Sequence, residues 1–153
     1  MPAIGEKAPD FTLLRDGGDA ITLSALRPDA VVVYFYPKDA TSGCTTEALD
    51  FTAALPDFRA AGARVLGVSR DDLQSHEKFV AKHNLGVPLL ADTDGQVTQA
   101  YGVWVEKNMY GRKYMGIERA TYLIDGQGVI RDIWRKVRVK GHVAKVLDAV
   151  RAL

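Results

Sequence analysis

The chain has 153 residues, 20 Lys+Arg against 19 Asp+Glu, a net charge of +1, and 47% hydrophobic and 25% charged residues. These proportions predict one soluble globular domain over residues 1–153, able to bury a core without disulfides or a structural metal. A charge so close to balance supplies no general field for nucleic acid or an anionic membrane surface, so neither is an expected partner and specificity must come from a local site.

The opening MPAIGEKAPDF lacks the apolar stretch of a signal peptide, and the longest apolar run, Ala30 to Tyr36, is far short of the ~20 residues that cross a bilayer. A cytoplasmic setting is expected. Phe11–Leu14 and Ala20–Leu23 predict a short N-terminal hairpin, its turn eased by Gly17 and Gly18. Val31–Tyr36 is apolar on both alternating faces, which predicts a central strand covered by helices on each side and stopped by Pro37. A helix is expected from about Thr45 to Ala61, with Ala48, Phe51, Leu55 and Phe58 near helical spacing and a kink at Pro56.

Ala63–Ser69 then predicts a strand, Asp71 and Asp72 an N-cap, and Leu73–His83 a helix. Val87–Ala91 reads as a third core strand and Gln96–Tyr101 as a short helix. Arg119–Ile124 and Val129–Trp134 pair as a hairpin, and His142–Leu153 closes the chain as an amphipathic helix. The order predicts an α/β fold, a sandwich around a mixed β-sheet.

Several chemical-looking motifs have plainer explanations. His76 and His83 are seven residues apart, about 10.5 Å along a helix, too far to share a metal easily, and are read as a solvated helix face. Asp92-Thr93-Asp94-Gly95 lacks the later ligands of a calcium loop and suits a capping turn. Arg131, Arg135, Lys136, Arg138 and Lys140 suit the protected edge of a sheet. Trp104, Tyr110 and Tyr114 are read as packing under a long loop. With no GxGxxG or Walker pattern, no cofactor or metal is expected.

Chemistry concentrates in Pro37-Lys38-Asp39-Ala40-Thr41-Ser42-Gly43-Cys44-Thr45-Thr46-Glu47. Cys44 is the only cysteine of the chain, which leaves no intrachain disulfide or CxxC pair. Following a buried strand and opening a helix, it meets unpaired N–H groups and the positive end of the helix dipole, both of which favour thiolate. A small buried hydrophobe is the plain reading of a free cysteine. Against it stand the polar Thr41, Ser42, Thr45 and Thr46, a Gly43 that admits a ligand to the backbone, and a position past the carboxyl end of a core strand.

Pro37, Thr41 and Cys44 match the P-x-x-x-T-x-x-C signature of peroxiredoxins, and YFYPKDATSGCTTEALDF resembles the peroxiredoxin Q branch, also called bacterioferritin comigratory protein. AYGVW, YGRKYMGIERATYLID and KGHVAKVLDAVRAL extend the resemblance over nearly the whole chain. It implies a thioredoxin-like fold with an N-terminal extension, and a thiol peroxidase that reduces hydrogen peroxide or organic hydroperoxides through a Cys44 sulfenic acid. The family's active-site arginine falls on Arg119. The branch's resolving-cysteine positions fall on Leu49 and Val80, so the resemblance implies a one-cysteine type that uses an external thiol such as thioredoxin, glutaredoxin or glutathione, as a monomer or weak homodimer.

The residue chemistry runs alongside. A free thiol of pKa about 8.5 is a few per cent ionised at pH 7, so full ionisation gains at most about thirtyfold, roughly 2 kcal/mol. The site must therefore also stabilise the S···O···O transition state. Arg119 can contact sulfur and peroxide oxygens with one planar fork. The Thr41 hydroxyl can donate to the thiolate while accepting from the peroxide, the N–H groups near Gly43 and Cys44 can hold oxygens, and Pro37 can shield the sulfur from water. Glu47 can orient an arginine or serve simply as a first-turn acid. A slow peroxide sensor and a binding module with a structural cysteine are the rival readings.

Overall fold

Residues 1–153 are described by a computed structural model, in which Thr12–Leu14 (β1) and Ala20–Thr22 (β2) pair as the expected N-terminal hairpin. Ala30–Phe35 (β3) follows a 3-10 turn at Leu23–Leu26, and all six of its residues are buried. A strand apolar on both faces must be covered twice. It takes the middle place in a five-stranded sheet, parallel to Ala63–Ser69 (β4) on one side, which in turn runs parallel to Leu89–Ala91 (β5). On the other side lies the antiparallel hairpin of Ala120–Ile124 (β8) and Ile130–Trp134 (β9). The helices are Ser42–Ala60 (α1), Leu73–His83 (α2), Gln96–Ala100 (α3) and His142–Arg151 (α4). None is long and apolar enough to cross a membrane.

The alternation of β3 divides two cores. Val32 and Tyr34 face Phe51 and Phe58 of α1, Phe79 of α2 and Val146 and Val150 of α4. Val31, Val33 and Phe35 face the other way, onto Phe11, Leu23, Val97 and Tyr101. The expected mixed α/β sandwich is present, but long helices cover only the first face. On the second, short α3 is supplemented by the N-terminal extension, pinned where the Tyr101 hydroxyl donates to the Pro9 carbonyl at 2.6 Å. Gly67 interrupts buried β4 because a Cβ there would lie 2.7 Å from the Tyr34 ring, so only glycine lets that ring pack against the strand.

Local expectations held where one turn decides them. Asp72 caps α2 by accepting from the Ser75 N–H, and Asp92 caps α3 by accepting from Val97 and Thr98. β9 is an edge strand, but of the basic run expected along it only Arg131 lies on the strand; Arg135, Lys136, Arg138 and Lys140 follow its end at Trp134, and Arg131 and Arg135 pair with Asp125 and Glu118.

Two expectations need correction. Residues 104–117 are not a long loop but a hairpin of Trp104–Met109 (β6) and Arg112–Ile117 (β7). Its two-residue turn, Tyr110-Gly111, has φ of 53° and 78°, the double left-handed geometry that matches strand twist. Of the three aromatic residues read as packing, Trp104 packs, under the Arg70 guanidinium 3.4 Å from its ring centre, while Tyr110 and Tyr114 are exposed. The second correction is His76. It lies wholly buried rather than on a solvated face, because the loop before α1 supplies a carboxylate to its ring.

Candidate active site

α1 begins at Ser42, three residues before the expected start, with Thr41 in the N-cap position. Cys44 is thus in the first turn. The first helical hydrogen bond runs from the Thr45 N–H to the Thr41 carbonyl at 2.9 Å, and no side chain caps this end. The N–H groups of Ser42, Gly43 and Cys44 therefore precede the ladder, and their partial positive charge collects around the sulfur.

Cys44 is 1% exposed, as a plain hydrophobe would be, but its neighbour is not apolar. Arg119, at the step from β7 to β8, brings Nη2 to 3.3 Å from Sγ and donates through Nη1 to Glu47 Oε1 at 2.7 Å. Glu47 lies one turn beyond Cys44 on the same helix face. It is wholly buried, and its Oε2 has no hydrogen-bond partner. Its carboxyl is raised to about 7, because burial, with a smaller push from Asp50, outweighs the downward pull of Arg119. Burial also opposes the charge of Arg119, but Glu47 and Cys44 outweigh it and leave its pKa raised.

The other sequence candidates stand around this chain of contacts. A Cβ on Gly43 would lie 3.1 Å from Arg119 Nη2, so the glycine makes room for the guanidinium. Pro37 lines a groove of about 400 Å³ whose far wall is the β6–β7 hairpin with Trp104, Lys107 and Met115. A larger hollow of about 600 Å³ lies at the start of β4 by Arg15, Arg59 and Arg64, the other end of the strand from Cys44's loop. Thr41 departs from expectation. Its hydroxyl donates to the Lys38 carbonyl at 2.8 Å rather than to the sulfur, because the intervening loop turns back at Ala40, φ 64°. Its lone pairs remain able to accept. Leu49 is exposed on α1, and Val80 packs half-buried against the first core.

Three residues near the site were not among the sequence's candidates for it. Lys107 comes from the hairpin; burial and Arg119 push its pKa down, against the pull of Cys44 and Glu118. Asp39 and His76 form a buried pair behind the loop, with Asp71 beside them. One ligand atom from each of these three lies within 4.8 Å of the others. Those atoms already hold one another and their neighbours, since Asp39 Oδ2 accepts from Ser75 and His76, and Asp71 Oδ2 from Ser69 and the Asp39 N–H. A cation would have to displace these bonds.

A reactive-thiol candidate at the carboxyl end of a central strand, on a thioredoxin-like α/β sandwich, limits the class. The sequence matches the AhpC/TSA family over residues 4–133. It is 50% identical over 143 residues to Peroxiredoxin Bcp of Xanthomonas campestris pv. campestris, covering 94% of this chain and 89% of that protein. It is 47% identical over 148 residues to Peroxiredoxin Bcp of Bacillus subtilis, covering 97% and 94%. The solved Xanthomonas campestris bacterioferritin comigratory protein, studied for alkyl peroxide reduction activity, superposes with a TM-score of 0.88 at 48% identity, over 93% of this chain and 90% of that one. The chain belongs to the AhpC/TSA family, in its peroxiredoxin Q branch of thiol-dependent peroxidases. Peroxiredoxin Q of Xanthomonas campestris has been solved with one or the other of two cysteines replaced by serine, whereas this chain has one cysteine in all.

Proposed function

We propose that this chain reduces hydrogen peroxide and organic hydroperoxides at Cys44 and is returned to the thiol by an external reductant. The observation that carries the reading is the Cys44–Arg119–Glu47 chain, in which a buried carboxylate aims a guanidinium at the sulfur of the single cysteine. The thiolate attacks the distal peroxide oxygen, the O–O bond breaks, and the alkoxide or hydroxide leaves to take a proton. The product is Cys44 sulfenic acid. One thiol then displaces water to form a mixed disulfide, and a second restores Cys44 while leaving a disulfide on the reductant.

Arg119 neutralises charge spread over sulfur and oxygens as the bond breaks, a service available only while it is held in place. Glu47 holds it. The first-turn N–H groups and the Thr41 lone pairs orient the peroxide, Gly43 admits the guanidinium, and Pro37 keeps water from one side of the sulfur. An external thiol is required because the chain has no second cysteine, and thioredoxin, glutaredoxin or glutathione in a cytoplasmic setting fits this need. The test is peroxide consumption with dithiothreitol, thioredoxin, or glutaredoxin plus glutathione. Sustained turnover that disappears in Cys44→Ser supports the reading; no consumption with any reductant contradicts it.

A further inference from the structure

Aspartate is almost never fully buried unless paired. Here Asp39 is 7% and His76 0% exposed, and their contacts tie four parts of the fold together. Asp39 Oδ1 accepts from the Tyr36 hydroxyl at 2.6 Å, at the end of β3. Its Oδ2 accepts from the Ser75 hydroxyl at 2.8 Å and from His76 Nδ1 at 2.7 Å, both on α2. The Asp39 N–H donates to Asp71, in the segment before α2, at 2.9 Å. His76 Nε2 donates to the Leu90 carbonyl of β5 at 2.9 Å.

A carbonyl oxygen only accepts, so Nε2 carries a hydrogen, and the 2.7 Å contact between Nδ1 and Oδ2 holds the ring to the Asp39 carboxyl by a single shared hydrogen. Burial works against the ring's charge, but the bond to Asp39, the Leu90 carbonyl and Asp71 raise its pKa above the ordinary histidine value. The titratable groups facing it are Asp39, Asp71 and Tyr36, and burial holds the Tyr36 phenol well above its usual range, so it stays a donor.

Beside this anchor the backbone is held where side chains seldom go. Ala40 follows Asp39 with φ 64°, and the next residue, Thr41, opens α1. A non-glycine residue keeps a left-handed conformation only when its surroundings over-determine it. Released at Asp39, Ala40 relaxes to negative φ, and Thr41 and the first-turn N–H groups leave their places around Cys44. We infer that Asp39 and His76 are positioning residues for the peroxide step, a clamp that holds the Pro37–Thr41 loop in the shape the reaction requires. The inference rests on the reading of Cys44 as the peroxide-reactive sulfur. Neither residue touches that sulfur.

The experiment compares two reactions of Cys44. Oxidation by peroxide needs the placed loop, whereas alkylation by iodoacetamide, run at a pH high enough to ionise the thiol in every variant, needs only a reachable sulfur. Asp39→Ala and His76→Ala should each slow oxidation by about 10- to 100-fold, the cost of misplacing reacting groups by about an ångström, while alkylation changes less than about threefold. Asp39→Asn should stay within about threefold of wild type in both, because a neutral His76 can accept the Asn amide at Nδ1 and still donate from Nε2. Equal falls in the two reactions, or no fall in either, would overturn the clamp. Should the alanine variants not fold, nitrogen-15 spectra of His76 in the unaltered protein decide: ring N–H protons shielded from exchange with water are the expected result, and ring protons that exchange as fast as those of an exposed histidine overturn the clamp. A wild type that does not react with peroxide would refute the proposed function instead, which these spectra do not depend on.

Discussion

Glu118 and Arg119 are neighbours in sequence, and each enters an ion pair, but the two pairs are built differently. Glu118 meets Arg135 with both oxygens, at 2.8 and 3.1 Å, near the surface where the arginine is 44% exposed. Both carboxylate oxygens of that pair have a partner. Arg119 meets Glu47 through one contact at 2.7 Å in the interior, leaves the second carboxylate oxygen without a partner, and turns its other branch to Cys44. A pair built for stability alone satisfies its oxygens, since an orphaned buried oxygen costs free energy. The Glu47–Arg119 pair forgoes that and gains a guanidinium directed at a sulfur.

The largest expected effect breaks this contrast at the arginines. Arg119→Ala should lower the rate of Cys44 oxidation by about 100-fold or more, beyond the roughly thirtyfold that thiol ionisation could explain, while Arg135→Ala stays within about twofold. Arg119→Lys should recover only part of the loss, because an ammonium lacks the planar fork. Stopped-flow oxidation of each variant measures this, and equal effects of the two alanine changes would refute the contrast.

Glu47→Gln sharpens it. The amide oxygen still accepts from Arg119 but no longer holds it by charge, so a fall of about tenfold in oxidation rate is expected. Stability should move the other way. Because burial raises the Glu47 pKa to about 7 from 4.5, the folded protein holds a proton that the unfolded chain releases in that interval. This contribution is fully present below about pH 4.5 and is lost as pH rises through about 7. Melting temperatures at pH 5 and pH 8 should therefore show wild type losing ground to Glu47→Gln; parallel curves would mean that Glu47 is not ionised against its surroundings.

The smallest effect concerns Gly43. The Cβ of Gly43→Ala would press on Arg119 Nη2 from 3.1 Å, so the guanidinium shifts by a few tenths of an ångström. Oxidation should slow by about three- to tenfold with no loss of thermal stability, since alanine suits a helix better than glycine by up to about 1 kcal/mol.

What could be read from the sequence was what local pattern decides. The apolar run of β3, the caps Asp72 and Asp92, and the place of Cys44 at a helix start all follow from a few adjacent residues. Arg119 stands 75 residues from Cys44, and only the resemblance, not any spacing, singled it out. The β6–β7 hairpin was missed because most of its residues are at least partly exposed on both faces, which removes the alternation that marks a strand. His76 was misread because the carboxylate that makes its burial tolerable lies 37 residues away. The direction of the Thr41 hydroxyl depends on the left-handed turn at Ala40, which alanine does not advertise.

Peroxide reduction at this site requires that Cys44 Sγ be the atom oxidised, and intact-mass analysis tests this most directly. One equivalent of peroxide should add about 16 Da to the reduced chain, a sulfenic-acid trap should capture that oxygen on Cys44, and Cys44→Ser should show neither change. An unchanged mass, or peroxide turnover that persists in Cys44→Ser, would contradict the account.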